Sequence, residues 1–154
     1  MSKIILLFLF LQGCATMSHL PPEQRREIQE RKFSEKYEKV FKAVVRTLED
    51  KGYILDKVDK ETGLISTEWS ATPDYSKQFL VFGKIRGKFT AHIERLDKNN
   101  TLVRLNFSLQ ERPVTYKEGK TTYDDTSWDD EDLDVDRAKK YYKTYFDSIQ
   151  EYIK

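Results

Sequence analysis

Ile85-Arg86-Gly87-Lys88-Phe89-Thr90-Ala91-His92-Ile93-Glu94, then Asp97-Lys98-Asn99-Asn100, then Thr101-Leu102-Val103-Arg104-Leu105-Asn106-Phe107-Ser108-Leu109-Gln110, is the stretch that decides the fold. In the first arm Ile85, Gly87, Phe89, Ala91 and Ile93 fall on one face. Lys84, Arg86, Lys88, Thr90, His92 and Glu94 fall on the other. Such alternation marks an antiparallel strand buried on one side and solvated on the other. Asp97 to Asn100 is turn chemistry. The second arm returns with Val103, Leu105, Phe107 and Leu109 inward. The first arm reaches back to Phe79, with a break near Gly83. A hairpin of this kind leaves one apolar face that something must cover.

Two helices are available to cover it. Tyr37, Val40, Phe41, Val44, Val45 and Leu48 form an amphipathic stripe that predicts a helix over 35–51. Ser34 reads as its N-cap with Phe33 as a staple, and Gly52 as the residue that ends it. Val135, Ala138, Tyr142, Tyr145, Phe146, Ile149 and Ile153 predict a second helix over 134–153. Tyr53 to Val58 and Leu64 to Ser70 read as strands around the turn Asp59-Lys60-Glu61-Thr62-Gly63, with Ile65, Thr67 and Trp69 on one face. A loop with Pro73 and Asp74 follows. Val114-Thr115-Tyr116 and Thr121-Thr122-Tyr123 flank Lys117-Glu118-Gly119-Lys120, as either a small hairpin or a mobile loop. The expected fold class is α+β over residues 34–154. It has two layers, an antiparallel sheet of about four strands packed by an N-terminal and a C-terminal helix.

The amino-terminal segment has a different logic. Lys3 precedes an apolar run from Ile4 to Leu11, and Leu11-Gln12-Gly13-Cys14 follows directly. A charged start, an apolar core and a small residue at the cut make a secretory signal over residues 1–13. Leu-x-Gly-Cys resembles the lipobox of bacterial lipoproteins. The resemblance implies a thioether-linked diacylglycerol on Cys14, cleavage before it, and acylation of the new amino terminus. The run is too short to span a bilayer, so the chain is expected to lie on a membrane, held by its acyl chains. Ala15 stands where an Asp would resemble an inner-membrane retention signal, which favours the outer membrane, periplasmic face. Residues 14–33 read as the lipidated Cys and a polar tether. Pro21-Pro22 favours extended backbone, and Glu23 to Lys32 has only Ile28 as an apolar residue.

A second resemblance rests on Val40-Phe41-Lys42-Ala43-Val44-Val45-Arg46-Thr47-Leu48-Glu49-Asp50-Lys51-Gly52-Tyr53 and Asp59-Lys60-Glu61-Thr62-Gly63-Leu64-Ile65. A helix ending in Leu-x-x-x-Gly-Tyr, a strand, an Asp-x-x-x-Gly turn and a second strand resemble the helix-grip modules of BamC-type outer-membrane lipoproteins. The match covers about residues 35 to 70 and implies a helix-grip-like domain.

Chemistry-bearing patterns are few. Basic and acidic residues number 27 and 26, so no charge excess argues for nucleic acid. The single Cys leaves no disulfide. His19 and His92 lack a partner at zinc-ligand spacing. Asp130, Asp132 and Asp134 have calcium-loop spacing, but Val135 stands where the loop needs Gly and Tyr141 where it needs Glu. The acids Asp124 to Asp136 read instead as partners for the positive end of the last helix. No catalytic motif, metal site or cofactor fingerprint appears. Lys84, Arg86, Lys88 and His92 share one strand face and form the candidate partner surface. The expectation is a non-enzymatic, membrane-anchored lipoprotein: an interaction module facing the periplasm, with an envelope protein as partner. The alternative is a small domain that binds a lipid or another apolar ligand.

Overall fold

The computed structural model describes residues 16–70, 85–123 and 126–154. Among the described residues there are three α-helices: α1 (Pro22–Gln29), α2 (Tyr37–Asp50) and α3 (Val135–Ile153). The strands are β1 (Glu30–Phe33), β2 (Leu55–Asp59), β3 (Leu64–Thr67), β4 (Ile85–Arg95), β5 (Thr101–Glu111), β6 (Val114–Lys117), β7 (Lys120–Tyr123) and β8 (Asp129–Glu131). Six of them form one antiparallel sheet in the order β1-β5-β4-β3-β2, with β8 also on β5. The fold is α+β, as expected, but the sheet has more than four strands, and β6 and β7 form a ribbon of their own.

The β4–β5 hairpin is the centre of the sheet. Its arms pair without interruption from Ile85↔Glu111 to Arg95↔Thr101. Phe89, Ala91 and Ile93 of β4 and Val103, Leu105, Phe107 and Leu109 of β5 are all buried. They meet Val40, Val44 and Leu48 of α2, and Tyr142, Tyr145, Phe146 and Ile149 of α3, in one core. Both helix stripes lie where the spacing puts them. Asp134 caps α3 by accepting the Arg137 N–H at 2.9 Å.

The start of α2 differs from expectation. Its N-cap is Lys36, without a side-chain cap, not Ser34. Phe33 is drawn into β1 opposite Thr101 and is buried. Residues 34–36 are then needed to cross from sheet to helix, and Thr101 Oγ1 donates to the Glu35 carbonyl at 2.8 Å on the way. The other end of α2 follows its sequence. The Gly52 N–H reaches the Glu49 carbonyl at 2.9 Å, and the Tyr53 N–H reaches that of Leu48 at 3.0 Å. With Gly52 at φ +82° this is a Schellman cap. It places the Tyr53 ring in the core, so β2 begins only at Leu55.

The larger correction concerns residues 16–33, which are not a tether. Met17 is buried, and its N–H donates to the Leu133 carbonyl at 2.8 Å. The Ser18 N–H donates to the Asp132 carboxylate at 3.0 Å. α1 packs on α3 and β5, and β1 pairs with β5 from Glu30↔Arg104 to Phe33↔Thr101. The polarity that suggested a solvated linker is that of an edge strand and an exposed helix, two elements with little surface to bury. The leader and Cys14 lie outside the described residues.

Two gaps in the hydrogen-bond ladders are closed by side-chain hydroxyls. Between β1 and β8, the Phe107 N–H on the second edge of β5 donates to the Tyr142 hydroxyl at 2.9 Å. Beyond the end of the β3–β4 ladder, the Phe89 N–H donates to Thr67 Oγ1 at 2.9 Å. A buried amide left without a partner costs about 1–3 kcal/mol, so both hydroxyls are structural. In the turn before β3, Asp59 accepts from the Thr62 and Glu61 amides at 3.1 and 3.0 Å. These bonds, the Thr62 bond first, hold its carboxyl below the usual range. Their contribution is present above the unfolded carboxylate pKa and is lost as pH falls through the lowered one.

Gly63 and Gly119 test the packing of these turns. Both have positive φ, +73° and +74°. A Cβ on Gly63 would overlap the Ile93 carbonyl oxygen, whereas one on Gly119 meets nothing within 4 Å. Gly119→Ala should therefore cost about 1 kcal/mol, the left-handed penalty alone. Gly63→Ala should cost about 3 kcal/mol or more. Urea denaturation of the two variants measures this, and equal losses would contradict the close approach of Gly63 to β4.

Candidate functional site

The face of the sheet turned away from α2 and α3 carries the expected basic strip. Arg86 and Lys88 are half-buried there, His92 is exposed, and Lys84 lies outside the described residues. The cross-strand register sets Arg86 opposite Gln110, Lys88 opposite Ser108 and His92 opposite Arg104. Arg104 is itself engaged, donating through Nε to Glu30 Oε1 at 2.7 Å.

The residues of the strip do not behave alike. Arg86 donates from Nε and Nη2 to Gln110 Oε1 at 2.9 and 2.7 Å. Gln110 Nε2 in turn donates to Asp130 Oδ1 at 2.8 Å. The Arg86 guanidinium lies 4.9 Å from the centre of the Trp69 ring and 4.1 Å from that of Trp128. Arg112 lies 4.8 Å from the centre of the same Trp128 ring. The two rings and two guanidinium groups thus form a stack of cation–π contacts, Trp69–Arg86–Trp128–Arg112, in which cations are attracted to the faces of indoles. Arg86 is a structural part of the face. Lys88 and His92 are the described residues of the strip that stand outside this stack.

Trp69 reaches the stack through a slip in register. β3 pairs with β4 as Leu64↔His92, Ile65↔Ala91 and Ser66↔Thr90. The next bridge is Ser70↔Gly87, one residue out of step. A slip of one residue moves a side chain to the opposite face of a sheet. Ile65 and Thr67 point inward as expected, but Trp69 does not share their face; it lies half-buried against Arg86. Sequence reading missed this, and with it Trp128, Gln110 and Arg112. The available signal was that the chain has only two Trp, each at the edge of an irregular stretch beside a strand.

The acidic run is distributed among separate tasks. Asp130 holds Gln110, Asp132 accepts from Ser18, and Asp134 caps α3. Among the described residues no three acidic, His or Cys side chains are gathered as a cation site. Burial pushes the Glu131 carboxyl up, with Glu111 and Asp132 adding to it. That contribution favours the fold at low pH and fades as pH rises through the raised value.

On the inner face, Tyr53, Tyr141 and Tyr145 join their hydroxyls in a triangle of 3.1, 3.0 and 3.4 Å. Phe89 lies 4.4 Å from the Tyr145 ring and Phe107 4.5 Å from that of Tyr141, centre to centre. Burial and the neighbouring phenols push Tyr141 far above its ordinary pKa. The space between α3 and the sheet is filled here by aromatic rings.

Different roles within the strip predict different stabilities. Arg86→Lys keeps the charge but loses the fork to Gln110 and weakens the contacts with both indoles, and should cost about 1–2 kcal/mol. Lys88→Glu should change stability by no more than about 0.5 kcal/mol. Urea midpoints of the two variants decide this, and a neutral Arg86→Lys would mean that the stack contributes nothing. Comparison with known protein families gives no matching family model, and comparison with curated proteins gives no match.

Proposed function

We propose that the chain is a non-enzymatic, membrane-anchored lipoprotein whose domain is an interaction module in outer-membrane or envelope assembly, facing the periplasm. The observation that carries the reading is Leu11-Gln12-Gly13-Cys14 directly after the apolar run Ile4 to Leu11. No described helix is long and apolar enough to cross a membrane; the proposed attachment by acyl chains rests on Cys14. The exposed sheet face supports the interaction half of the proposal. It offers Lys88 and His92 beside a rigid stack of rings and guanidinium groups. Fixed flat groups of this kind suit a protein contact because little side-chain entropy is lost on binding. The aromatic filling between α3 and the sheet favours this reading over the binding of an apolar ligand within the domain.

Two measurements test the two halves. Labelling with a fatty-acid analogue should mark the native chain and not the Cys14→Ser variant; equal labelling would overturn the anchor. Capture from crosslinked membranes should recover fewer partners with Lys88→Glu and His92→Glu together. That pair spares Arg86 and so leaves the fold intact. Recovery should also fall with salt, because exposed charges are screened beyond about 8 Å at physiological ionic strength. Unchanged recovery would assign the face to solvent.

A further inference from the structure

The fold places the β6–β7 ribbon and the start of the folded chain at the same end of the molecule. Thr16 forms a bridge with Asp134, and the Met17 N–H donates to Leu133. Cys14 is two residues earlier, and two residues span at most about 7 Å. Residues 132–134 follow β8, whose Glu131 lies opposite Leu109 near the end of β5. β6 leaves that same end of β5, beginning three residues after Glu111. The turn at Asp97–Asn100 lies at the other end of β5, about 33 Å away at strand rise.

Two apolar side chains of the ribbon are exposed. Val114 and Tyr116 alternate along β6, and so share a face, and are 44% and 73% exposed. Its turn is well built, with Glu118 and Gly119 at φ +51° and +74°, the two positive values of a type I′ hairpin. A two-stranded ribbon is nonetheless marginal in water by itself. An exposed Tyr next to an exposed Val at the anchored end suits a bilayer interface, where the ring body enters the acyl boundary and the hydroxyl stays wet.

We propose that the β6–β7 hairpin is a second membrane contact, with Tyr116 and Val114 entering the bilayer interface beside the acyl chains of Cys14. The proposal rests on the lipoprotein reading. Its occupant is the lipid interface, because the anchor holds the end of the domain that bears the ribbon within about 1 nm of it. The contact sets orientation and not residence, since acyl chains alone hold the protein durably. Charge does not drive it. Asp129 and Asp130 are exposed at the same end and oppose an anionic leaflet.

The test uses the full acylated chain in vesicles of phosphatidylethanolamine and phosphatidylglycerol that carry a nitroxide on the headgroup. With Cys14 acylated, a thiol-reactive fluorophore attaches only where a new Cys is placed. On Lys120→Cys, in the ribbon, it should lose most of its emission to the nitroxide. On Lys98→Cys, at the far turn, it should keep its emission. Adding Tyr116→Asp to Lys120→Cys should restore emission while flotation with the vesicles persists. Raising the salt should leave the quenching unchanged. Flotation with equal quenching at both positions, or quenching that survives Tyr116→Asp, would overturn the ribbon contact and leave the anchor standing. A chain that does not float, and whose Cys14 takes up the fluorophore, would overturn both.

Discussion

The second edge of β5 is the constraint on which the structure depends. One edge is paired along its whole length with β4. The other is eleven residues of backbone that must also find partners, since an unpaired buried amide or carbonyl is costly. Three remote parts of the chain supply them. β1 covers Thr101 to Arg104, the Tyr142 hydroxyl meets the Phe107 amide, and β8 covers Leu109 to Glu111. This edge recruits the amino-terminal segment, the acidic run and the last helix into one domain.

Joining those parts has a consequence for the proposed anchor. A tether would let the domain explore a few nanometres above a membrane. A chain that is already folded at Met17 leaves no such reach. An acyl group on Cys14 would hold the domain close and in a narrow range of orientations. The sheet face with Lys88 and His92 would then be presented by a fixed platform, and association gains when the partner groups are held in place beforehand. Cation–aromatic stacking gives the face its rigidity, because Trp69 and Trp128 enclose Arg86 from two irregular stretches of chain.

What was legible in the sequence was whatever periodic burial writes. The alternation from Ile85 to Gln110 and the helical stripes of α2 and α3 each repeat several times, and each lies where its pattern puts it. β1 and β8 were not legible. Glu-Arg-Lys-Phe and Asp-Asp-Glu are short edge strands, held by backbone pairing and almost devoid of apolar side chains. Trp69 was misplaced because a one-residue slip leaves no trace in composition. Arg86 was correctly put on the outer face, but the stack around it joins residues 69, 86, 112 and 128, which no local pattern connects. Cys14 and Lys84 rest on the sequence alone.

Amide hydrogen exchange by NMR tests the central claim, that residues 16–33 are part of the domain through the second edge of β5. The Met17 and Phe107 amides donate to Leu133 and Tyr142. Both should be protected nearly as strongly as the β4–β5 ladder and should open only with the whole domain. Free exchange at Met17 and along Glu30 to Phe33, with the β4–β5 ladder still protected, would contradict the account and return the segment to a tether.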